Sequence, residues 1–234
     1  MPFIDEQREK IVRWIDVIKG DVQHLVVQNH IFWEVQKILR ANPEVAAIPS
    51  VFYEWQAQLF AGSMVLGVRR QVDRGMDTIS LFRLISLLRD HPKILSREYY
   101  MSLYDPDAFS QQRAAANFDK YAGDGAQTFQ AAYFETDIAD LTAGTTRLQH
   151  YADREIAHRD ARPFEDVRPQ FSELTDAVQL LEKLTIKYYA LLKAGVCPTL
   201  LPTFQYDWKQ IFTFPWITTP EHDDTDGTQT NQES

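Results

Sequence analysis

The densest group of residues able to do chemistry is Tyr151-Ala152-Asp153-Arg154-Glu155-Ile156-Ala157-His158-Arg159-Asp160. A histidine takes or gives a proton near neutral pH, and an arginine holds a phosphate through its planar fork. The pair suits metal-free cleavage of RNA by transesterification. On a regular α-helix Arg154 and His158 stand four apart and share a face, whereas Asp153 and His158 do not. The plainer reading is an exposed helix end of mixed charge, with His158 and Arg159 near the negative end of the helix dipole. Spacing alone leaves both readings open.

Glu155 and His158 also form Glu-x-x-His, the ligand spacing of two-metal carboxylate bundles. Such a site needs a second copy and two further glutamates. The nearest substitute, Asp21-Val22-Gln23-His24, begins with aspartate. No metal and no cofactor is therefore expected. A second charged group is Arg69-Arg70-Gln71-Val72-Asp73-Arg74-Gly75-Met76-Asp77. Arg69 and Asp73 are four apart, as are Arg70 and Arg74. This reads as a capping and salt-bridge cluster at a helix end, with phosphate binding by Arg69 and Arg70 as the sharper alternative. Phe52, Tyr53, Trp55 and Phe60 have no basic residues interleaved, so they read as core or interface rather than a base-stacking platform. There is no glycine-rich phosphate loop, nucleophile elbow or His-Glu-x-x-His.

These groups must be positioned by helices. Ile11, Trp14, Ile15, Ile18, Leu25, Phe32, Val35 and Leu39 recur at helical spacing from Asp5 to about Arg40, with Gly20 as a candidate bend. A second helix is predicted from Val51 to Arg74, ending at Gly75, and a third from a Thr78 cap to His91-Pro92. A short helix follows around Ser96 to Leu103. Asp105-Pro106 reads as the start of the next, which ends near Gly123-Asp124-Gly125. Helix is predicted again from about Gln127 to His158, with Thr136 as a restart point. After the proline-bearing loop 161–169, Ser172 is the predicted cap of a last long helix that Gly195 ends. The aromatic stretch Val196 to Trp216, with one or two helical turns over Tyr206–Phe212, is expected to pack back on the rest. The sequence shows no repeat and no alternating strand pattern. The expected fold is all-α, an up-and-down helical bundle forming one domain over 1–217, with a disordered acidic tail over 218–234.

Composition limits the partners. The 234 residues, 44% apolar and 24% charged, are ordinary for a globular domain. Subtracting the five acidic residues of Glu221–Ser234 from the net charge of −9 leaves −4 for the remainder. That acidic body lacks the basic face that long nucleic acids require. No apolar run reaches the roughly 18 residues of a membrane span. The acidic start does not read as a secretory signal. Cys197 is the lone cysteine, so no intrachain disulfide forms and a cytoplasmic setting is expected.

Two stretches carry a family resemblance. Val68-Arg69-Arg70-Gln71-Val72-Asp73-Arg74-Gly75-Met76-Asp77-Thr78-Ile79-Ser80-Leu81, with Leu84-Ile85-Ser86-Leu87-Leu88, is followed some eighty residues later by Ala152-Asp153-Arg154-Glu155-Ile156-Ala157-His158-Arg159-Asp160. In this order they resemble the HEPN superfamily, and more narrowly its abortive-infection, AbiU-like branch. The resemblance implies a helical bundle, often a homodimer. Its active members are metal-independent RNases whose Arg and His face one another across the dimer. Many belong to phage-defence or toxin–antitoxin systems, which adds an antitoxin or other protein as a possible partner. The family spacing has four to six residues between Arg and His. Here Arg154 precedes His158 with three between, and the position with four between is Asp153. Two readings follow. One is an endoribonuclease with His158 as general acid or base, Arg154 as phosphate stabiliser and Arg159 assisting. The other is a non-catalytic module that binds a protein or nucleotide, with Asp153, Arg154 and Asp160 in structural salt bridges and caps.

Overall fold

The computed structural model describes residues 2–157 and 169–215, with side chains described at 3–154 and 169–215. The chain opens with α1, Pro2–Arg40, a single 39-residue helix. Gly20 does not break it. Ile15, Ile18, Val22 and Leu25 are all buried on one side of the glycine or the other, and this continuous stripe outweighs the cost of about 1 kcal/mol for an interior glycine. The short α2, Pro43–Ala46, leads to α3, Val51–Gln71. A turn follows, then α4, Leu81–Asp90. After a 3₁₀ turn at Pro92–Leu95 come α5, Arg97–Ser102, and α6, Ala108–Ala122. The long α7, Ala131–Tyr151, runs directly into a π-helical turn, Ala152–Ala157. The last α-helix among the described residues is α8, Phe171–Lys193.

The architecture is an all-α helical bundle. Among the described residues there is no β-strand, only an isolated bridge between Ser96 and Thr128. Helices α1, α3, α7 and α8 pack around one core, and α4 lies against α7 and α1. Phe32 of α1 stacks on Phe60 of α3 with ring centres 3.8 Å apart, and Phe171 of α8 joins at 5.4 Å. Trp33 donates its indole N–H to the Thr175 hydroxyl at 2.9 Å, a second tie between α1 and α8. Between α7 and α8 a buried Asp137 carboxylate accepts from the Lys187 ammonium and the Tyr188 hydroxyl, each at 2.6 Å.

Several helix ends differ from the sequence reading, each for a local reason. Helix α3 stops at Gln71, three residues before Arg74, because Asp73 and Gly75 build a turn. Ser80, not Thr78, caps α4: its hydroxyl accepts the Arg83 N–H at 3.2 Å, while Thr78 bonds back to the Gly75 carbonyl at 2.8 Å. Asp107, two residues beyond Asp105, caps α6 by accepting the Ser110 N–H at 2.9 Å. Thr136 lies inside α7, its hydroxyl bonded to the Ala132 carbonyl. The Glu173 carboxylate accepts the Gln170 N–H at 2.6 Å, so α8 begins at Phe171 with Gln170, not Ser172, as its cap residue. Helix α8 ends at Lys193. Ala194 takes the left-handed conformation, φ 51°, and Gly195 lies so close to the Tyr189 ring that a Cβ would collide with it.

The chain divides into two compact units, Met1–Leu201 and Pro202–Ser234. Within the first, Leu200 is buried in the core and its carbonyl accepts from Gln23. The second has a 3₁₀ turn at Trp208–Thr213, capped by Asp207, with Trp208 against Phe204 and Phe212. The acidic tail over 218–234 lies outside the described residues.

Candidate functional site

The two motif stretches, far apart in sequence, meet at the C-terminal end of α3. Arg69, on the last turn of α3, donates from Nε to Asp153 at 2.5 Å. The same guanidinium donates from a terminal nitrogen to Asp73 at 3.1 Å. Asp153 sits on the π-helical turn, which packs on both α3 and α7. One arginine thus joins three pieces of backbone: the end of α3, the turn that follows it, and the end of α7. The acidic partner beside it raises the Arg69 pKa further above its ordinary value.

Asp73 organises the turn. It accepts the Gly75 backbone N–H at 2.7 Å, and that bond, with Arg69 behind it, holds the carboxyl below the usual aspartate range. The Asp73 carbonyl accepts the Ser80 hydroxyl at 2.6 Å. Arg83 closes the turn from the other side, its guanidinium reaching the Gly75, Met76 and Thr78 carbonyls. Arg74 lies over the Phe82 ring at 4.5 Å. Because the folded Asp73 is more acidic than the unfolded one, it contributes stability above the ordinary aspartate pKa and loses it as pH falls through the folded value. Asp73→Asn is therefore expected to cost about 1 kcal/mol at pH 7. The difference from the parent shrinks as the pH is lowered below the carboxylate range. Urea unfolding of both proteins at pH 7 and in that acid range measures it.

Arg70 turns the opposite way, toward Asp21 of α1 at 3.8 Å. Asp21 also accepts the Gln71 side-chain N–H at 3.1 Å, and Gln71 is fully buried. Next to this lies a cleft of about 330 Å³ between α1 and α3, lined by Asp21, His24, Ser63, Gly67, Arg70 and Gln71. Ser63 donates to Gln28 at 3.0 Å, and Gln28 pairs with His24 at 2.6 Å. Sequence reasoning considered Asp21 and His24 only as metal ligands and missed their joining to α3. The available signal was that Asp21, His24 and Gln28 share one face of α1. No group of three metal-ligating side chains occurs among the described residues.

Of the residues singled out in the sequence, Arg69 and Asp153 are brought into contact, and Arg70 is directed to a different partner. Arg154 occupies the π-helical turn, partly buried. A π-helix closes i to i+5 bonds, so the four-residue rule that places Arg154 and His158 on one face does not apply across 152–157. His158, Arg159 and Asp160 lie outside the described residues. No helix among the described residues is long and apolar enough to cross a membrane. No protein-family model, curated protein or solved structure matches the chain.

Proposed function

We propose that the chain is a non-catalytic HEPN-like module of the abortive-infection kind, acting in the cytoplasm by binding another protein. One observation carries this reading: the Arg69 guanidinium is divided between Asp73 and Asp153. A phosphate needs cationic donors that are not already directed at carboxylates, and a carboxylate in the motif repels it. Arg70 also faces an aspartate. The net charge of −9 adds a repulsive field toward RNA. In this reading the motif cluster holds α3, the turn and the end of α7 together as a frame.

A second reading has its own support. The π-helical turn at Ala152–Ala157 falls on the motif, and such turns occur often at functional sites. It alters the spacing that would otherwise set Arg154 out of register. His158 would then serve as general acid or base and Arg154 as phosphate stabiliser in a metal-independent endoribonuclease of phage defence or of a toxin–antitoxin pair. The test is cleavage of a broad RNA panel by the full chain, with and without chelator, beside His158→Ala. The expected result is no cleavage above background by either protein. Chelator-resistant cleavage that falls roughly 10²–10⁴-fold in the variant would establish the nuclease instead.

A further inference from the structure

The end of α1, the short α2 and the start of α3 form a hairpin whose apolar residues the core does not use. Helices α1 and α3 run antiparallel: Ser63 bonds Gln28, Phe60 stacks on Phe32, and Gln71 bonds Asp21. Carried on in the same register, this pairing sets Arg40 level with Phe52 and Lys37 level with Trp55. Helix α8 begins at Phe171, beside Phe32, yet α1 runs on for another eight residues, about 12 Å. Val35 is the last core residue of α1 and Phe60 the first of α3. From 36 to 59 no residue is buried. This stretch nevertheless carries Ile48 and Val51 at 63% and 80% exposure, with Phe52 and Trp55 at 50% and 53%. Val45 is exposed as well. Between Arg40 and Glu54 the sequence holds one charge, Glu44. Single exposed apolar side chains are ordinary, but a contiguous tip of them marks a contact surface.

We infer that this tip docks the chain on a zwitterionic phospholipid surface, lying in the interface without spanning the bilayer. The order of the residues along the hairpin selects this occupant. Val45 and Ile48 lie in the connection, beyond the end of α1, and Val51 is the first residue of α3. Phe52, Tyr53 and Trp55 follow within one turn, with the Phe52 ring 5.8 Å from each of the other two. Arg40 stands level with these rings. Aliphatic groups outermost, then aromatic rings and an arginine, is the order in which a bilayer presents acyl chains, interface and headgroups. A protein groove imposes no such ordering by depth. The charges fit a zwitterionic headgroup. Lys37 is already tied to Glu34 at 2.6 Å. Arg40 has no ion partner among the described residues and is the group offered to phosphate, its stem lying along the interface. Glu44 and Glu54 are exposed on the same hairpin and complement the headgroup ammonium. The tip carries no excess of positive charge, and the chain carries −9, so an anionic surface repels it. The inference stands on the hairpin alone and requires neither the HEPN resemblance nor the protein-binding reading.

The test sediments the full chain with sucrose-loaded phosphatidylcholine vesicles. The parent is expected to pellet with the vesicles at low and high salt alike, and less strongly when phosphatidylserine is added. Ile48→Glu combined with Val51→Glu is expected to weaken binding about 10–100-fold. Neither side chain belongs to the core, so the helical circular dichroism stays unchanged. Leu66→Glu is the control. Leu66 is also exposed on α3 but lies about 22 Å further along it than Val51, and its variant is expected to bind as the parent does. A parent that stays in the supernatant overturns the proposal, whether the tip is bare or covered by another protein. A double variant that binds as tightly as the parent overturns the tip as the contact. An equal loss in Leu66→Glu overturns it in favour of the whole α3 face. Tighter binding to phosphatidylserine vesicles, lost at high salt, overturns the zwitterionic headgroup.

Discussion

Asp137→Ala is expected to destabilise the chain by about 3–5 kcal/mol, a substantial part of the stability of an ordinary domain. Asp137 is 7% exposed on the inner side of α7 and neutralises the Lys187 ammonium of α8. It also accepts a hydrogen bond from the Tyr188 hydroxyl, and Tyr188 is fully buried. Burial, reinforced by the adjacent carboxylate, raises the Tyr188 pKa far above the ordinary tyrosine value, so the phenol stays a donor. The Lys187 ammonium also lies over the Tyr133 ring at 3.9 Å. Removing the carboxylate leaves a cation and a hydroxyl without their acceptor in a low-dielectric interior. The pair itself need not be a net source of stability. Replacing Asp137 by Leu, Lys187 by Met and Tyr188 by Phe together removes all three polar groups and is expected to recover most of the loss. Urea unfolding of the single and triple variants measures both effects. A loss under 1 kcal/mol for Asp137→Ala would show that water already reaches the cluster.

The helices were legible in the sequence because their signals are local. The stripe Ile11, Trp14, Ile15, Ile18 marks α1 without any knowledge of its neighbours. The ends were less legible, because two or three polar residues compete at each. Thr78 and Ser80 can both cap, and the choice falls to Ser80 because its hydroxyl also bonds the Asp73 carbonyl, a contact set by the turn. Asp107 and Gln170 won over Asp105 and Ser172 in the same way, through which N–H groups lay within reach.

The candidate site was legible only as two charged stretches. Arg69 and Asp73, four apart, could be paired from spacing on one helix. The bond from Arg69 to Asp153 spans α3 and the end of α7, and no local rule specifies which faces of two distant helices meet. A structural salt bridge was one expectation for Asp153, but its partner, Arg69, was not visible from spacing. The π-helical turn was hidden for a similar reason. Ala152-Asp153-Arg154-Glu155-Ile156-Ala157 has no residue that forbids an α-helix; a one-residue change in hydrogen-bond register is decided by packing against α3 and α7. The Asp137–Lys187 pair was equally invisible, because the two residues lie on different helices, α7 and α8, and no spacing rule joins them.

Phe32→Ala is expected to cost about 3–4 kcal/mol, and more than the removed area alone predicts, because of where the ring sits. Phe32 is 7% exposed and lies face to face with Phe60 at 3.8 Å. Phe171, the first residue of α8, is at 5.4 Å, and Trp33 makes an edge contact at the same distance. This stack is where α1, α3 and α8 converge. Phe60 and Phe171 also stand 5.9 Å apart, so the missing ring leaves two aromatic faces that cannot close over the gap without moving a helix. Phe32→Leu refills part of that volume and should cost about half as much. Thermal unfolding gives the ranking, parent above Phe32→Leu above Phe32→Ala. Helix α3 is held on its inner face by this stack and at its C-terminal end by Arg69. A change at Phe32 is therefore expected to loosen the Arg69–Asp153 contact as well, read as faster amide exchange at the end of α3 in Phe32→Ala. Exchange that quickens only around Phe60 and Phe171 would show that the two anchors of α3 act independently.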